Sequence, residues 1–600
     1  MYFNVFGEKV SKTRHKEMVN AQKNRRELIA ARLNRRDLFR MGLLTGAGYL
    51  ATKGGLSARA QSAPALPVNQ PASPQVRPFI EPLPIMPVKE PVHHLTPAPS
   101  VDPLPGEGRT RPHQGLTLFP PKTFYEVKQK ETIVSMSPDL PLQTLWGFDG
   151  VVPGPTYVAR YGHPVLVRNF NELPLNDNGG FGLSSASTHL HNGHTPSESD
   201  GFPCDFFEVG QFYDQHYPNV LAGILSTHPG TGDINESLST LWYHDHRVDF
   251  TSQNVYKGLA GFYLLFNEFD TGHEHRGFRL PGFPHHDVPM VFADKVFDPE
   301  DGKLFFDTFN LDGILGDTFT VNGKVQPFFK VKPRRYRFRW LNVGPSRFYE
   351  FFLTDLEDLD AHNRFWVLGN DGNILPRMVH TESVRIGVAE RMDVIVDFSN
   401  FRGRTIYLEN RLIQLSGKGP LPPPGDIAPA GQGNSVLRFD VDDDRVDDDS
   451  VPPHLFRGYH LPDTTPEPLV VRSFRFDRLN GQWSINGTFM DCNRPRFTVK
   501  QNSVEHWVLT NFSGDWQHPI HIHLEEHQVL SRNRAVTPFR YEISRKDVVK
   551  IRQNERLELF FRFRDWTGRY PLHCHNTVHE DHAMMLRWEI QPDGDTNITP

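Results

Sequence analysis

The tripeptide His573-Cys574-His575 constrains this chain more than any other segment. A cysteine between two histidines has little meaning in a helix. In an extended strand, side chains alternate between faces, so His573 and His575 point one way and Cys574 the other. One tripeptide can then ligate metal on both sides of a strand, with the backbone as a short covalent bridge between two centres about 10 Å apart. Such wiring suits electron transfer.

The face carrying Cys574 needs more ligands. A thiolate, two imidazoles and a weak axial thioether make the trigonal set of a blue-copper electron-transfer site. His579 lies five residues after Cys574, and Met584 five after that. The run His518-Pro519-Ile520-His521-Ile522-His523 supplies the other imidazole as His518, while His521 and His523 share a strand face. Two further pairs stand upstream, His189-Leu190-His191 and His244-Asp245-His246. With His521, His523, His573 and His575 they total eight imidazoles, enough for a three-metal cluster and too many for one zinc, which takes four ligands. A single His-x-His pair is weak evidence, because most such pairs are satisfied core or surface residues. The set is strong.

The segments HLHNGH, LWYHDH, HPIHIH and HCHNTVHEDHAMM resemble those of the multicopper oxidases. Within that family, TPSESDGFP resembles the bacterial spore-coat laccases, and DWQHPIHIH with HCHNTVHEDHAMM resembles the bilirubin oxidases. The resemblance spans roughly residues 115 to 592. It implies a copper-dependent oxidoreductase with dioxygen as acceptor and four coppers per chain. It assigns His518, Cys574, His579 and Met584 to the type 1 copper, and His189 and His521 to type 2. His191, His244, His246, His523, His573 and His575 fall to the type 3 pair. It also implies that Glu580 and Asp200 serve proton delivery and water exit; orientation of imidazoles is the competing role. Strand alternation after His579 would turn Glu580 away from the type 1 copper towards the dioxygen channel. Trp516, two residues before His518, is expected to line the donor site, with a core tryptophan as the alternative. His194, His527 and His582 fit no ligand position and are expected beside ligands or at the surface.

The expected fold is all-β, three consecutive cupredoxin-like Greek-key β-barrels. Short alternating runs separated by Gly, Pro, Asn and Asp carry that reading almost to the C-terminus. A faint threefold repeat supports it: Gly154-Pro155, Asn322-Gly323 and Asn486-Gly487 each precede an alternating strand ending at Asn169, Asn342 and Asn511. The domains are placed at 115–270, 285–441 and 466–595, the middle one without ligands. Residues 61–114 are proline-rich and read as an extended linker or an arm over the first domain. Residues 442–465 open on an acidic run and read as a solvated linker rather than a cation site.

Residues 1–60 read as a twin-arginine signal peptide. Arg35-Arg36 precedes the apolar run Met41 to Leu50, and Ala58-Arg59-Ala60 offers a cleavage site. This leader holds 13 Lys+Arg against 4 Asp+Glu, a net of +9, which leaves −15 on the remainder. So acidic a surface argues against nucleic acid and anionic membranes as partners. No apolar run approaches the ~20 residues of a membrane span. A monomer, periplasmic or secreted in a bacterium, is the expectation. Cys204 and Cys492 either pair in an oxidising compartment or remain two buried thiols.

The expected reaction is one-electron oxidation of a small-molecule electron donor (phenols, aromatic amines or bilirubin-like compounds) coupled to four-electron reduction of dioxygen to water. Oxidation of Mn(II) or Fe(II) is the alternative. Cu(I) oxidation is weakened by a total of 11 methionines with no Met-rich insert. A copper-free cupredoxin-fold structural protein of the envelope is the reading from a different class, and the full ligand set argues against it.

Overall fold

The computed structural model describes residues 71–600 apart from 177, 227–231, 452–458, 480, 533–539 and 543, with two short backbone strands at 2–3 and 9–10. The twin-arginine motif and its cleavage site lie outside the described residues. From residue 123 onward, alternating apolar runs pair into sheets, two to each of three consecutive segments. The all-β expectation holds.

The first segment has two four-stranded sheets, one ordered Gln143–Phe148, Thr123–Val134, Val165–Glu172, Phe212–Tyr217 and the other Gly154–Arg160, Ala260–Phe266, Thr240–Asp245, Thr188–His191. The second has an eight-stranded and a five-stranded sheet, and the third a six-stranded and a five-stranded sheet. Every segment repeats one pairing: its first long strand lies parallel to the strand picked out by the sequence repeat. Thr123–Val134 pairs with Val165–Glu172, Asp287–Phe297 with Arg335–Asn342, and Val470–Leu479 with Ser503–Asn511.

The hairpin turns explain most of the repeat. Asn322-Gly323 and Asn486-Gly487 both take positive φ, as two-residue hairpin loops require, and close Val321 on Lys324 and Ile485 on Thr488. In the first segment Gly154-Pro155, whose composition and place in the repeat predict the equivalent turn, does not form it. The turn is Asp149-Gly150, with φ of 55° and 73° and Phe148 bridged to Val151. Gly154 instead begins a strand, where a Cβ would sit 2.6 Å from the Tyr243 hydroxyl. Its missing side chain serves close packing.

Each segment closes over its own apolar core, with Trp146 and Tyr243 in the first, Trp340 and Phe351 in the second, and Trp507 and Trp588 in the third. The third core is unusual in what it includes. Cys574 and Met584 belong to it, beside Ile520, Ile522 and Leu572. The face of the Gly568–Cys574 strand opposite this core looks towards the first segment.

The proline-rich arm reaches further than the first domain. It bridges Pro82 to Phe328 of the second segment and Val88 to Thr156 of the first, and Gln114 donates to the Thr567 carbonyl of the third at 2.9 Å. The acidic run is tied down rather than loose: Asp442 pairs with Lys332, and Asp448 with Arg334 and Arg335.

Cys204 and Cys492 form a disulfide between the first and third segments, at a sequence separation of 288. A native disulfide typically contributes about 2–4 kcal/mol. Cys204→Ser with Cys492→Ser is therefore expected to lower the first unfolding transition by several degrees in differential scanning calorimetry. An unchanged transition would show that the bond adds nothing to segment docking.

Candidate metal centres

Four strands set the geometry. Thr188–His191 runs antiparallel to Thr240–Asp245 with His189 opposite His244. His518–Ile522 runs antiparallel to Gly568–Cys574 with His521 opposite His573 and Ile520 opposite Cys574. Leu190 goes into the first core, which turns His189 and His191 out of it, and Ile520 and Ile522 do the same for His521 and His523. The two outward faces meet. All eight imidazoles at the interface are at most 1% exposed.

Their ring nitrogens converge. His246 Nε2 lies 3.3 Å from His523 Nε2 and 3.2 Å from His573 Nε2, with 3.3 Å between the latter two. A point equidistant from such a triangle is about 1.9 Å from each nitrogen, close to the ~2.0 Å of a metal–imidazole bond. His189 Nε2 and His521 Nε2 approach to 3.4 Å. The rings of His191, His244 and His575 lie 5.2 to 5.7 Å apart, and His191 Nδ1, His244 Nε2 and both nitrogens of His575 have no hydrogen-bond partner. Buried, unpartnered ring nitrogens are costly unless a cation satisfies them.

On the other face, Cys574 Sγ is 3.4 Å from His518 Nδ1 and 3.7 Å from His579 Nδ1, and the two nitrogens are 3.2 Å apart. This triangle also suits one metal ion. Met584 is fully buried in the same core; its N–H donates to the His579 carbonyl and its carbonyl accepts from the Cys574 N–H. The second nitrogens are anchored: Ser513 Oγ is 2.7 Å from His518 Nε2, and the Asp312 carbonyl 3.1 Å from His579 Nε2.

Electrostatics agree with ligation. Burial, reinforced by neighbouring imidazoles, holds His189, His191, His521, His523, His575 and His579 well below the ordinary imidazole range, and burial brings His518 to about 3. Neutral imidazole is the form that binds metal. Burial also pushes the Cys574 thiol well above its usual value, so a thiolate there needs a cation beside it.

The two acidic residues sit against the cluster. Asp200 places Oδ2 2.7 Å from His523 Nδ1, its carbonyl 2.5 Å from His189 Nδ1, and burial raises its carboxyl well above the carboxylate range. Glu580 places its oxygens 3.1 Å from His246 Nδ1 and 3.0 Å from His573 Nδ1. It does face away from His579 Nδ1, but not through strand alternation. Residues Thr577–Asp581 form a short helix, whose ~100° step per residue separates the two side chains.

Trp516 does not touch the triangle directly. Trp483 intervenes, 4.1 Å from the His579 ring and 5.2 Å from Trp516 by centroid, with its indole N–H held by the Leu311 carbonyl. Arg478 lies over both indoles and Lys418 over Trp516. His194 pairs with Asp565 at 2.7 Å, His582 Nε2 lies 3.2 Å from the Asn310 carbonyl, and His527 is buried with neither nitrogen hydrogen-bonded.

Sequence reasoning missed Trp483, Ser513 and Asp547. Asp547 brings Oδ2 to 2.7 Å from His191 Nε2, and its carbonyl lies 2.9 Å from His521 Nδ1. A charged residue directly before Val548-Val549, which open the buried strand Val548–Ile551, is the available signal.

A thiolate–imidazole site in one β-barrel, set back to back with an imidazole cluster shared between two barrels, defines a metal-dependent oxidoreductase of cupredoxin fold. Comparison with known proteins narrows this. Residues 461–594 match the family model described as multicopper oxidase. The chain is 34% identical to bilirubin oxidase of Albifimbria verrucaria over 88% of its own length and 84% of that protein. It is 31% identical to a laccase of Bacillus subtilis over 78% of this chain and 94% of the relative. The crystal structure of a laccase from Pediococcus acidilactici superposes with a TM-score of 0.66 at 22% identity, covering 87% of this chain and 95% of that one, which bears on the fold alone. The chain belongs to the multicopper oxidase family and is a copper-dependent oxidoreductase with dioxygen as acceptor.

Proposed function

We propose that this protein oxidises small reductants one electron at a time at a type 1 copper and reduces dioxygen to water at a trinuclear copper cluster, with four coppers per chain. The observation that carries this is the Gly568–Cys574 strand, which aims Cys574 at His518 and His579 and the adjoining His573 and His575 at the imidazole cluster. His518, Cys574 and His579, with Met584 as axial thioether, would hold the type 1 ion. His189 and His521 would hold type 2, His191, His244 and His575 one type 3 ion, and His246, His523 and His573 the other. Copper supplies the one-electron redox chemistry. The chain supplies the short covalent path from Cys574 to its two flanking histidines, a dry enclosure, and the carboxylates Glu580 and Asp200 at imidazole Nδ1 atoms.

Phenols, aromatic amines and bilirubin-like compounds suit an entry lined by the half-buried Trp516 and Arg478 above the buried Trp483, since flat π-systems stack on indole and guanidinium faces. The names of the bilirubin oxidase and laccase relatives support that donor class. Export through the twin-arginine machinery to the periplasm or beyond fits the leader motif, and the Cys204–Cys492 disulfide fits an oxidising compartment. Among the described residues no helix is long and apolar enough to cross a membrane.

Copper analysis with visible and electron paramagnetic resonance (EPR) spectra tests the centres, and oxygen uptake against phenols, bilirubin, Mn(II), Fe(II) and Cu(I) tests the donor. Four coppers, an intense blue band and uptake driven by phenols or bilirubin are expected. A colourless protein with less than one copper would overturn the proposal.

Met584→Leu is expected to keep copper and colour but raise the type 1 potential, because a thioether donates weakly to the oxidised ion and its loss favours the reduced one. An unchanged or lower potential in redox titration would remove Met584 from the axial position.

A further inference from the structure

The second segment contributes no imidazole to either centre, yet one of its side chains reaches the cluster. Arg391 begins the strand Arg391–Asp397 and is fully buried. Its Nη1 donates to Asp547 Oδ1 at 2.9 Å and to the Ala389 carbonyl at 2.9 Å. Its Nη2 donates to the Asp371 carbonyl at 3.0 Å, and its Nε to the Thr240 carbonyl at 3.3 Å. Thr240 opens the strand that carries His244, and Asp547 immediately precedes the strand that pairs with His518–Ile522. One guanidinium thus grips all three segments.

Asp547 passes that grip to two imidazoles. Its Oδ2 lies 2.7 Å from His191 Nε2 and 3.6 Å from His521 Nδ1, and its carbonyl lies 2.9 Å from His521 Nδ1. The two rings stack at 3.8 Å with 13° between planes. A carboxylate beside Nε2 of His191 favours the proton on that atom and leaves the lone pair on Nδ1, which has no hydrogen-bond partner. A carbonyl at Nδ1 of His521 does the converse, leaving the lone pair on Nε2, which faces His189 Nε2 at 3.4 Å. Such outer contacts decide which nitrogen of an imidazole can ligate.

We propose that Asp547, held by Arg391, is a positioning residue: its carboxylate fixes the ring and tautomer of His191, its main-chain carbonyl fixes those of His521, and through this stacked pair the second segment governs retention of copper at the cluster. This rests on the cluster assignment above. The Asp547 carboxyl lies between Arg391, at Oδ1, and His191 and His521, on the side of Oδ2.

The test compares Asp547→Asn, Arg391→Met and the double variant as copper-loaded full-length proteins. The readouts are copper per chain, the type 2 EPR signal during titration with a chelator, and the blue band, which reports the type 1 site on the other face of the sheet. The expected result for Asp547→Asn, which removes the contact to His191 and leaves the carbonyl at His521, is loss of cluster copper at on the order of 10- to 100-fold less chelator, the usual effect of removing an outer contact, with the blue band retained. Arg391→Met should act in the same direction. The double variant should lose no more than the worse single one, because both changes remove one chain of contacts. A wild-type copper count and chelator midpoint for the cluster in Asp547→Asn would overturn the proposal. So would parallel loss of the blue band and the type 2 signal, which would mark a general folding role. Should Arg391→Met fail to fold, the near-isosteric Asp547→Asn decides alone. Absence of a type 2 signal from the wild-type protein would instead defeat the four-copper reading itself.

Discussion

Cys574→Ser is expected to abolish the intense visible absorption and turnover with every donor. The colour arises from sulfur-to-copper charge transfer, and serine offers no sulfur. The structure adds why no neighbour can substitute. Cys574 is the one free cysteine among the described residues, with His518 and His579 ring nitrogens 3.4 and 3.7 Å from its sulfur. A serine oxygen has a shorter reach and is a harder ligand, ill suited to this site. Its hydroxyl would also lie in an apolar core beside Ile520 and Leu572. Leaving it unpaired there costs roughly 1–3 kcal/mol, tolerable for a core of this size. The type 2 EPR signal should therefore survive in the variant and confirm that the two barrels remain docked. A Cys574→Ser protein that keeps its blue band would place the type 1 copper elsewhere.

Glu580→Gln should have the second large effect, on reoxidation by dioxygen rather than on reduction by the donor. Its carboxylate faces two Nδ1 atoms at once, those of His246 and His573. Both nitrogens present N–H when their Nε2 atoms ligate, so the position calls for two acceptors. Glutamine has one acceptor and one NH2 group, and that NH2 group would oppose an imidazole N–H. The substitution thus removes a proton-carrying group and misaligns one ring. Loss of a positioned acid–base group typically costs about 100- to 10,000-fold in the step it serves. Stopped-flow reoxidation of the fully reduced variant should slow by about 100-fold or more, while type 1 reduction keeps its wild-type rate. Reoxidation at the wild-type rate would assign the relay to Asp200.

Much of this arrangement is legible in the chain because it follows from local rules. The period-two alternation of His573-Cys574-His575 needs only an extended backbone, and the Asn322-Gly323 and Asn486-Gly487 hairpins need only the conformational preferences of two residues. Where local rules compete, the reading slips. Gly154-Pro155 has the composition of a turn but is small for the sake of Tyr243, and Glu580 follows a strand yet lies in a five-residue helix. The contacts that could not be read at all span long stretches of sequence. Arg391 meets Asp547 across 156 residues, and Cys204 meets Cys492 across 288. No periodicity encodes such meetings. Trp483 belongs to the same kind, an ordinary strand tryptophan until His579 is folded against it.

The imidazole cluster draws four histidines from the first segment and four from the third, so neither barrel alone possesses it. Any ion that binds there binds only the docked pair. By mass action it deepens docking by RT ln(1 + [L]/Kd), which is about 4 kcal/mol when free metal exceeds its dissociation constant a thousandfold. Metal supply and quaternary-like cohesion within one chain thus become a single thermodynamic variable. Copper starvation would then be felt as looser barrels and greater exposure to proteases, alongside the loss of catalysis.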